Sequence, residues 1–418
     1  MILSTESLNF LTTLPSQLCD IGQNRGDGMK RYMLQELCSI ITDGTHQTPT
    51  YTDKKSGVIF LSSKDVTQEK IDWQHVKYIP QDLHEKLYAR LAPQRNDILL
   101  AKNGTTGIAA LVDTDAVFDI YVSLALLRPK KIIYPPYLLS AINSPATRRQ
   151  FDWGLKGIGV PNLHLNVIQK TEIPVPDYEE QKRIAGFFQK IDGIISNRQR
   201  VLTLLDELVK SRFVEMFGDP VLNPKKWERH QLNDDIIFLT SGSRGWSKYF
   251  SRDGEIFITI KNVKNGRITL DDVQYVHAPD NAEAKRTKVQ AGDLLISITA
   301  DLGRTGVVSE ALAKRGAYIN QHLTCIRLNR NVINPEYTAM FMESAGGKCQ
   351  FDAKNQVGVK AGLNFEAIKG LEIMVPPLSL QNQFSTFVHQ VEATKTSVRT
   401  QLTALTTLRA KMMQEFFG

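Results

Sequence analysis

The chain has 418 residues, of which 42% are hydrophobic and 23% charged. These are globular proportions; they exclude a wholly disordered or collagenous polymer and leave room for two or three domains. Its four cysteines, Cys19, Cys38, Cys325 and Cys349, form no Cys-x-x-Cys pair, which excludes a disulfide scaffold and the common structural zinc sites. A net charge of +7 permits nucleic-acid binding without establishing it. The excess lies in two blocks, 18 basic against 14 acidic side chains in residues 30–175 and 21 against 17 in residues 220–375, with a near-neutral stretch between. The opening residues carry no basic leader, and no apolar run of about 18 residues occurs, so a cytoplasmic chain without membrane contact is expected.

Residues 1–29 read as an N-terminal extension without counterpart elsewhere in the chain. After them the sequence is written twice, with a period near 200. Gly57-Val-Ile-Phe-Leu-Ser-Ser-Lys-Asp-Val66 matches Gly254-Glu-Ile-Phe-Ile-Thr-Ile-Lys-Asn-Val263, Asp97-Ile-Leu-Leu matches Asp293-Leu-Leu-Ile, and Gln150-Phe-Asp152 matches Gln350-Phe-Asp352. Phe217-Gly218 matches Phe417-Gly418. The period is too long for a solenoid repeat and marks tandem duplication of a domain with its tail. In each copy, β-branched and aliphatic runs predict strands at 58–61 and 98–101, and at 256–260 and 294–298. Short helices are predicted near 136–143 and 335–343. Ile173-Pro-Val-Pro and Ile373-Met-Val-Pro-Pro then close each globular region.

A long proline-free helix follows each region. In 179–217, Ile184, Phe187, Ile191, Ile194, Val201, Leu205 and Leu208 alternate in steps of three and four. In 379–417 the same frame gives Phe384, Phe387, Val391, Val398, Leu405, Leu408 and Met412. Arg198 interrupts the first seam, and Thr394 and Gln401 the second. The pattern fits a coiled coil over about five heptads, or two amphipathic helices packed on their own domains. If the helices pair, connectivity requires them to be antiparallel and relates the halves by a pseudo-two-fold axis. The expected fold class is therefore α+β: globular regions at 30–176 and 219–376, joined and spaced by two long antiparallel coiled-coil helices at 177–218 and 377–418.

Catalytic signatures are missing. The nearest approach to a Walker A loop, Gly347-Lys348-Cys349, has Met342 where the first glycine belongs. Gly104-Thr-Thr-Gly107 lacks a lysine and reads as a tight turn. Pro279-Asp280 and Glu283-Ala-Lys285 lie too close together for the usual nuclease spacing. No Asn/Asp-Pro-Pro-Tyr/Phe amino-methylation motif and no His-Glu-x-x-His occurs. No nucleophile, base and oxyanion site assembles. What is left is a binding device with two heads and a spacer, an arrangement suited to two half-sites on one duplex.

Several segments resemble the specificity subunit of type I restriction-modification systems over residues 30–418. They are Asp43-Gly-Thr-His-Gln-Thr-Pro49, Asn96-Asp-Ile-Leu-Leu with Gly104-Thr-Thr-Gly107, and Ile173-Pro-Val-Pro176 followed by Glu180-Gln181-Lys-Arg-Ile184. The second copy departs from the pattern, with Leu380-Gln-Asn-Gln383 in place of the Glu-Gln pair. The resemblance implies two target-recognition domains, each reading half of a bipartite asymmetric site in double-stranded DNA, with the helices setting the unread gap. It implies two methyltransferase subunits docked partly through Glu180, Gln181 and Arg183, and translocating restriction subunits. S-adenosylmethionine, ATP and magnesium would be held by those partners, and neither cofactor, metal nor catalytic residue by this chain. A protein-interaction scaffold and a self-contained methyltransferase or nuclease are the rival readings.

Base readout draws on polar loop residues, and phosphate contact on lysine and arginine. Candidates in the first head are Thr45, His46, Gln47, Lys54, Lys64, Lys102, Asn103 and Lys156. Those in the second are Ser243, Arg244, Lys248, Lys261, Asn262, Arg304, Lys354 and Lys360. Gln47 and Arg244 lie in loops that differ between the copies and are expected to read bases. Lys64 and Lys261 recur in both and are expected to hold phosphates.

Overall fold

The computed structural model describes residues 29–155, 161–355 and 362–418. Lys156, Lys360 and residues 1–28 of the expected extension lie outside the described residues. The chain forms two compact units, residues 1–199 with 400–418, and residues 200–399. The long helices, Tyr178–Phe217 and Leu378–Phe417, each contribute to both units.

In the first unit, Cys38–Asp43, Leu124–Pro129, Ile98–Ala101 and Ala109–Leu111 form an antiparallel sheet in that order. Lys77–Pro80, Gly57–Leu61 and Phe118–Ile120 form a second sheet, its last pair parallel. Ile98–Ala101 is buried on both faces, which explains its unbroken apolar run. Strand alternation sends Ile98 and Leu100 into a core with Tyr137, Phe151 and Phe188, and Leu99 and Ala101 into another with Leu61, Phe118 and Ile120.

The second unit repeats the scheme with longer sheets. One runs Ile236–Ser241, Leu323–Leu328, Leu294–Ser297, Thr305–Val307, Gly266–Ile268 and Val263–Lys264. The other runs Phe250–Ser251, Gln274–Val276, Glu255–Ile258 and Ala317–Ile319. Here Leu294 and Ile296 face Tyr337 and Phe351, while Leu295 faces Ile258 and Ile319.

Paired polar groups account for several repeated letters. Asp97 accepts the Gln94 amide at 2.8 Å and a two-pronged Arg128 guanidinium at 2.8 and 2.7 Å. Asp293 does the same with Gln290 at 2.7 Å and Arg327 at 2.8 and 2.9 Å. Gln150 exchanges two hydrogen bonds with the Glu172 backbone, and Gln350 with that of Glu372. A planar fork on a carboxylate satisfies both charges in a dry setting, which lysine cannot reproduce.

The helices pair antiparallel within each unit. In the first, Phe188 packs against Phe416 and Phe417 at ring separations of 6.1 and 6.0 Å, so the start of one helix meets the end of the other. In the second, Phe213 and Phe217 pack against Phe384, each at 5.5 Å. The repeated Phe-Gly is explained by the far ends: Phe417 enters the first head's core beside Tyr137, and Phe217 the second's beside Tyr337. The seam departs from the expected frame in two places. Leu208 is 46% exposed and the stripe passes through Val209, Phe213 and Met216 instead. In the second helix Thr394 lies outside, and the buried position belongs to Lys395, only 5% exposed. Apolar periodicity alone does not register a charge buried against a partner, as Lys395 is against Asp206.

Candidate nucleic-acid interface

In the first head, four loop ends are tied into one surface by backbone hydrogen bonds. Strand Cys38–Asp43 runs into Gly44–Gln47, and Thr45 donates to the Ile120 carbonyl at 3.1 Å while its own carbonyl accepts from Val122 at 2.9 Å. A side chain at Gly44 would collide with the Ile120 carbonyl, so only glycine lets the two segments approach. Tyr121 donates to Leu61 at 2.8 Å, and Ser63 to the Ser123 hydroxyl at 3.0 Å, which brings in the turn carrying Lys64. Lys102 donates its backbone amide to Ser123 at 2.9 Å and Leu163 to Lys102 at 2.7 Å, adding the Lys102–Gly107 turn.

The second head is wired alike. Ser243 donates to Ile319 at 3.0 Å, Asn320 to Ile258 at 3.1 Å, Ile298 to His322 at 3.0 Å and Leu363 to Ile298 at 2.9 Å. Gly242 repeats the close approach of Gly44, here against Asn320. What the loops carry on this common wiring differs. Thr45, His46 and Gln47 stand at the site occupied by Ser243, Arg244 and Gly245, and Tyr121-Val-Ser123 at that of Asn320-Gln-His322.

Arg244 is exposed on a firm base. Gly245 takes a left-handed turn at φ 67°, and the next residue, Trp246, is 2% exposed. Its indole stacks on Phe257 at 5.7 Å, meets Tyr318 at 5.3 Å and donates to Glu283 at 3.1 Å. The buried Trp246 fixes the backbone of the turn next to Arg244, whose side chain is exposed. Lys248 is exposed on the same short turn, Trp246–Tyr249. His46 and Gln47 are exposed in the first head, and Thr45 is half-buried, accepting from the Gln47 amide at 3.3 Å. Lys64 and Lys261 are exposed at matching positions of the 3-10 turns Ser63–Asp65 and Ile260–Asn262. Asn103 is half-buried on the turn bridged to Asn162, and Arg304 is half-buried and paired with Asp301.

Other candidates are committed to the fold or lie elsewhere. Lys102 is 7% exposed, with its ammonium 2.6 Å from Asp43, a carboxylate that also lies 3.4 Å from His46. Ser243 is buried, its hydroxyl 3.0 Å from that of Thr287. Asn262 is 1% exposed and accepts the Thr259 amide at 2.9 Å, the place Asp65 fills for Ser62 at 2.6 Å. These three are structural because their polar atoms are spent inside the head. Lys54 is exposed but belongs to the turn before Gly57, the opposite end of strand Gly57–Leu61 from the converging loops. Lys354 ends helix Ala345–Lys354 with its ammonium beside Gly370, in a groove with Pro220 and Arg229. Gln181 is 1% exposed and bonded to Tyr134 and Pro176, which makes it a strut of the head. Glu180 and Arg183 are half-buried and form a two-pronged pair at 2.6 Å.

Tyr121, Asn320, Gln321 and His322 stand on the same converging loops. Tyr121 lies 3.2 Å from the Thr48 hydroxyl, and His322 lies 2.7 Å from that of Thr299. The signal was available: Ile120-Tyr-Val-Ser-Leu124 and Ile319-Asn-Gln-His-Leu323 align with unlike middles, the same criterion that singles out Arg244. Among the described residues no group of three His, Cys, Asp or Glu is placed to hold a metal ion, and no helix is long and apolar enough to cross a membrane.

Residues 27–205 and 224–407 each match the type I restriction modification DNA specificity domain. The EcoBI specificity subunit of Escherichia coli is 20% identical over 410 residues, covering 90% of this chain and 82% of the relative. The EcoKI specificity subunit of Escherichia coli K12 is 20% identical over 362 residues, covering 82% and 77%. The crystal structure of the type I system S subunit from M. genitalium superposes with a TM-score of 0.58 at 12% identity, over 94% of this chain and 96% of that one. A chain from a structure of type I complex assembly and conformational transition gives 0.56 at 17% identity, over 94% and 98%.

Proposed function

As a member of the type I restriction-modification DNA specificity family, this chain is a specificity subunit, and we propose that its two sets of converging loops each read one half of a bipartite site in double-stranded DNA. One observation carries the assignment of the reading surface: the two heads keep the same backbone wiring at these loops while the exposed side chains on them differ. Like scaffolds with unlike tips bind the same kind of ligand with different sequence choice, since phosphate contacts position and base-edge contacts specify.

In this reading Arg244, His46 and Gln47 face bases, and Lys64 and Lys261 hold phosphates. Tyr121, Asn320, Gln321 and His322 join the readers. An arginine forks onto guanine, and a glutamine or asparagine onto adenine. The helices Tyr178–Phe217 and Leu378–Phe417, which run from one unit into the other, fix the unread gap. Two methyltransferase subunits and translocating restriction subunits supply the chemistry, with S-adenosylmethionine, ATP and magnesium on those cytoplasmic partners. The test is to exchange residues 30–175 for the first head of another family member and determine the methylated site. One half-site changes and the other is retained; a change in both defeats the assignment of one half-site to each head.

A further inference from the structure

Each head brings an arginine to the root of its first converging loop. Arg90 closes helix Gln81–Arg90 and donates from Nη2 to the Asp43 carbonyl at 3.0 Å. Arg286, in helix Ala282–Thr287, donates from Nη1 to the Ser241 carbonyl at 2.8 Å and to the Thr240 hydroxyl. Asp43 and Ser241 are the last strand residues before Gly44 and Gly242, where the loops depart. The two arginines are a repeated letter, each seven positions before Asp97 or Asp293. The helices that carry them are held by unlike means. His84 seats the first on Asp119 at 2.7 Å. Asn281 caps the second, and Glu283 accepts from the Trp246 indole at 3.1 Å. What repeats is the delivery of a guanidinium to this one carbonyl.

Other repeated arginines find their counter-charge inside the chain. Arg128 and Arg327 fork onto Asp97 and Asp293, and Arg31 and Arg229 lie 3.7 Å from Glu172 and Glu372. Arg90 and Arg286 are exposed, and among the described residues neither forms an ion pair. Asp43 gives its carboxylate to Lys102 at 2.6 Å. A guanidinium has five N–H donors in a rigid fork, and the carbonyl bond leaves most of them for an outside acceptor. A phosphate accepts such a fork and supplies the charge that the chain does not. A side chain kept for the carbonyl bond alone need not be charged.

We propose that Arg90 and Arg286 are a matched pair of phosphate anchors, one to each head, which hold the DNA backbone at the root of the converging loops and so set the position from which those loops meet base edges. This rests on the DNA reading above and extends it to residues on different elements from Lys64 and Lys261. Phosphate contacts carry no sequence information directly, so the same anchor serves whichever half-site a head reads.

Arg90→Gln and Arg286→Gln in the full chain remove the charge and keep an amide donor for the carbonyl. Each is expected to lower the salt slope of duplex binding by about one, and the double variant by about two. Affinity then falls about fourfold less between 50 and 200 mM salt for each arginine removed. The order of preference among half-site variants is expected to match the native chain. Unchanged slopes overturn the anchors and leave the arginines as tethers of their helices; an altered base preference also overturns them, by making them readers. Lys64→Ala, measured alongside, separates the two levels. A lower slope there, with native slopes in the arginine variants, defeats the anchors alone; native slopes in all of them defeat the converging loops as the DNA surface as well. For a glutamine variant that does not fold, labelling of the native chain with an arginine-selective dicarbonyl gives the second reading. Bound duplex is expected to abolish modification of Arg90 and Arg286 and to leave unchanged that of Arg252, at the opposite end of strand Glu255–Ile258 from the loops. Modification of Arg90 and Arg286 that is the same with and without duplex overturns the proposal.

Discussion

The side-chain oxygen of Gln181 accepts the backbone amide of Tyr134 at 2.7 Å, and its nitrogen donates to the Pro176 carbonyl at 3.0 Å. Gln381 does the same for Asn334 at 2.8 Å and Pro376 at 2.7 Å. Each glutamine thereby clamps the first turn of a long helix to the segment that opens a head's helical layer. Gln181→Leu leaves a buried donor and acceptor unmatched and costs about 1–3 kcal/mol. The midpoint of urea unfolding should fall, with partner assembly intact at low denaturant. An unchanged midpoint together with lost assembly would return the residue to the docking surface.

Arg244→Ala and Lys261→Ala should act differently on DNA. Arg244 is exposed on the turn before the buried Trp246, and its loss should relax sequence choice at one position of the second half-site by about 1–3 kcal/mol. Lys261 occupies a turn that both heads share, and its loss should weaken all sequences alike and lower the salt slope by about one. Affinities for a panel of half-site variants at several salt concentrations decide the matter. The opposite pattern would exchange the two roles, and no effect from either would place the reading surface elsewhere.

Lys102 and Lys64 make a second contrast, between fold and ligand. Lys102→Ala leaves the buried Asp43 carboxylate without its 2.6 Å partner, and breaking such a pair costs up to about 3–5 kcal/mol of stability. Among molecules that remain folded, the salt slope of DNA binding should not move. Lys64→Ala should leave stability within about 0.5 kcal/mol and reduce the slope by about one. Thermal unfolding and salt titration on the same preparations provide both readings.

Lengthening both helices tests the gap. Four residues added after Leu205 and four after Leu405 extend each helix by about 6 Å, close to two base-pair steps of about 3.4 Å. The heptad frame slips by half a repeat, so lower stability accompanies a longer unread gap. An active variant that keeps its original gap would show that the helices do not set it.

Much of this architecture is readable in one dimension. The duplication is visible because framework residues such as Asp97 and Asp293, or Gln150 and Gln350, have partners no other side chain replaces, so both copies keep the same letters. Strand Ile98–Ala101 is legible because a four-residue strand buried on both faces has to be apolar throughout. The long helices are legible because each apolar stripe repeats at the period of the backbone. Tertiary structure alone decided which polar residues near the loops are free. Lys102 and Lys64, or Ser243 and Arg244, look equally available in sequence, yet one of each pair is spent on Asp43 or Thr287 across dozens of positions. The same holds for Lys395 and Arg409, which occupy apolar-seam positions because Asp206 and Asp192 wait on the other helix. Periodicity reports the solvent preference of a residue and its near neighbours along the chain. Whether a charge is buried or exposed depends on a counter-charge brought to it by folding, and no local pattern records that.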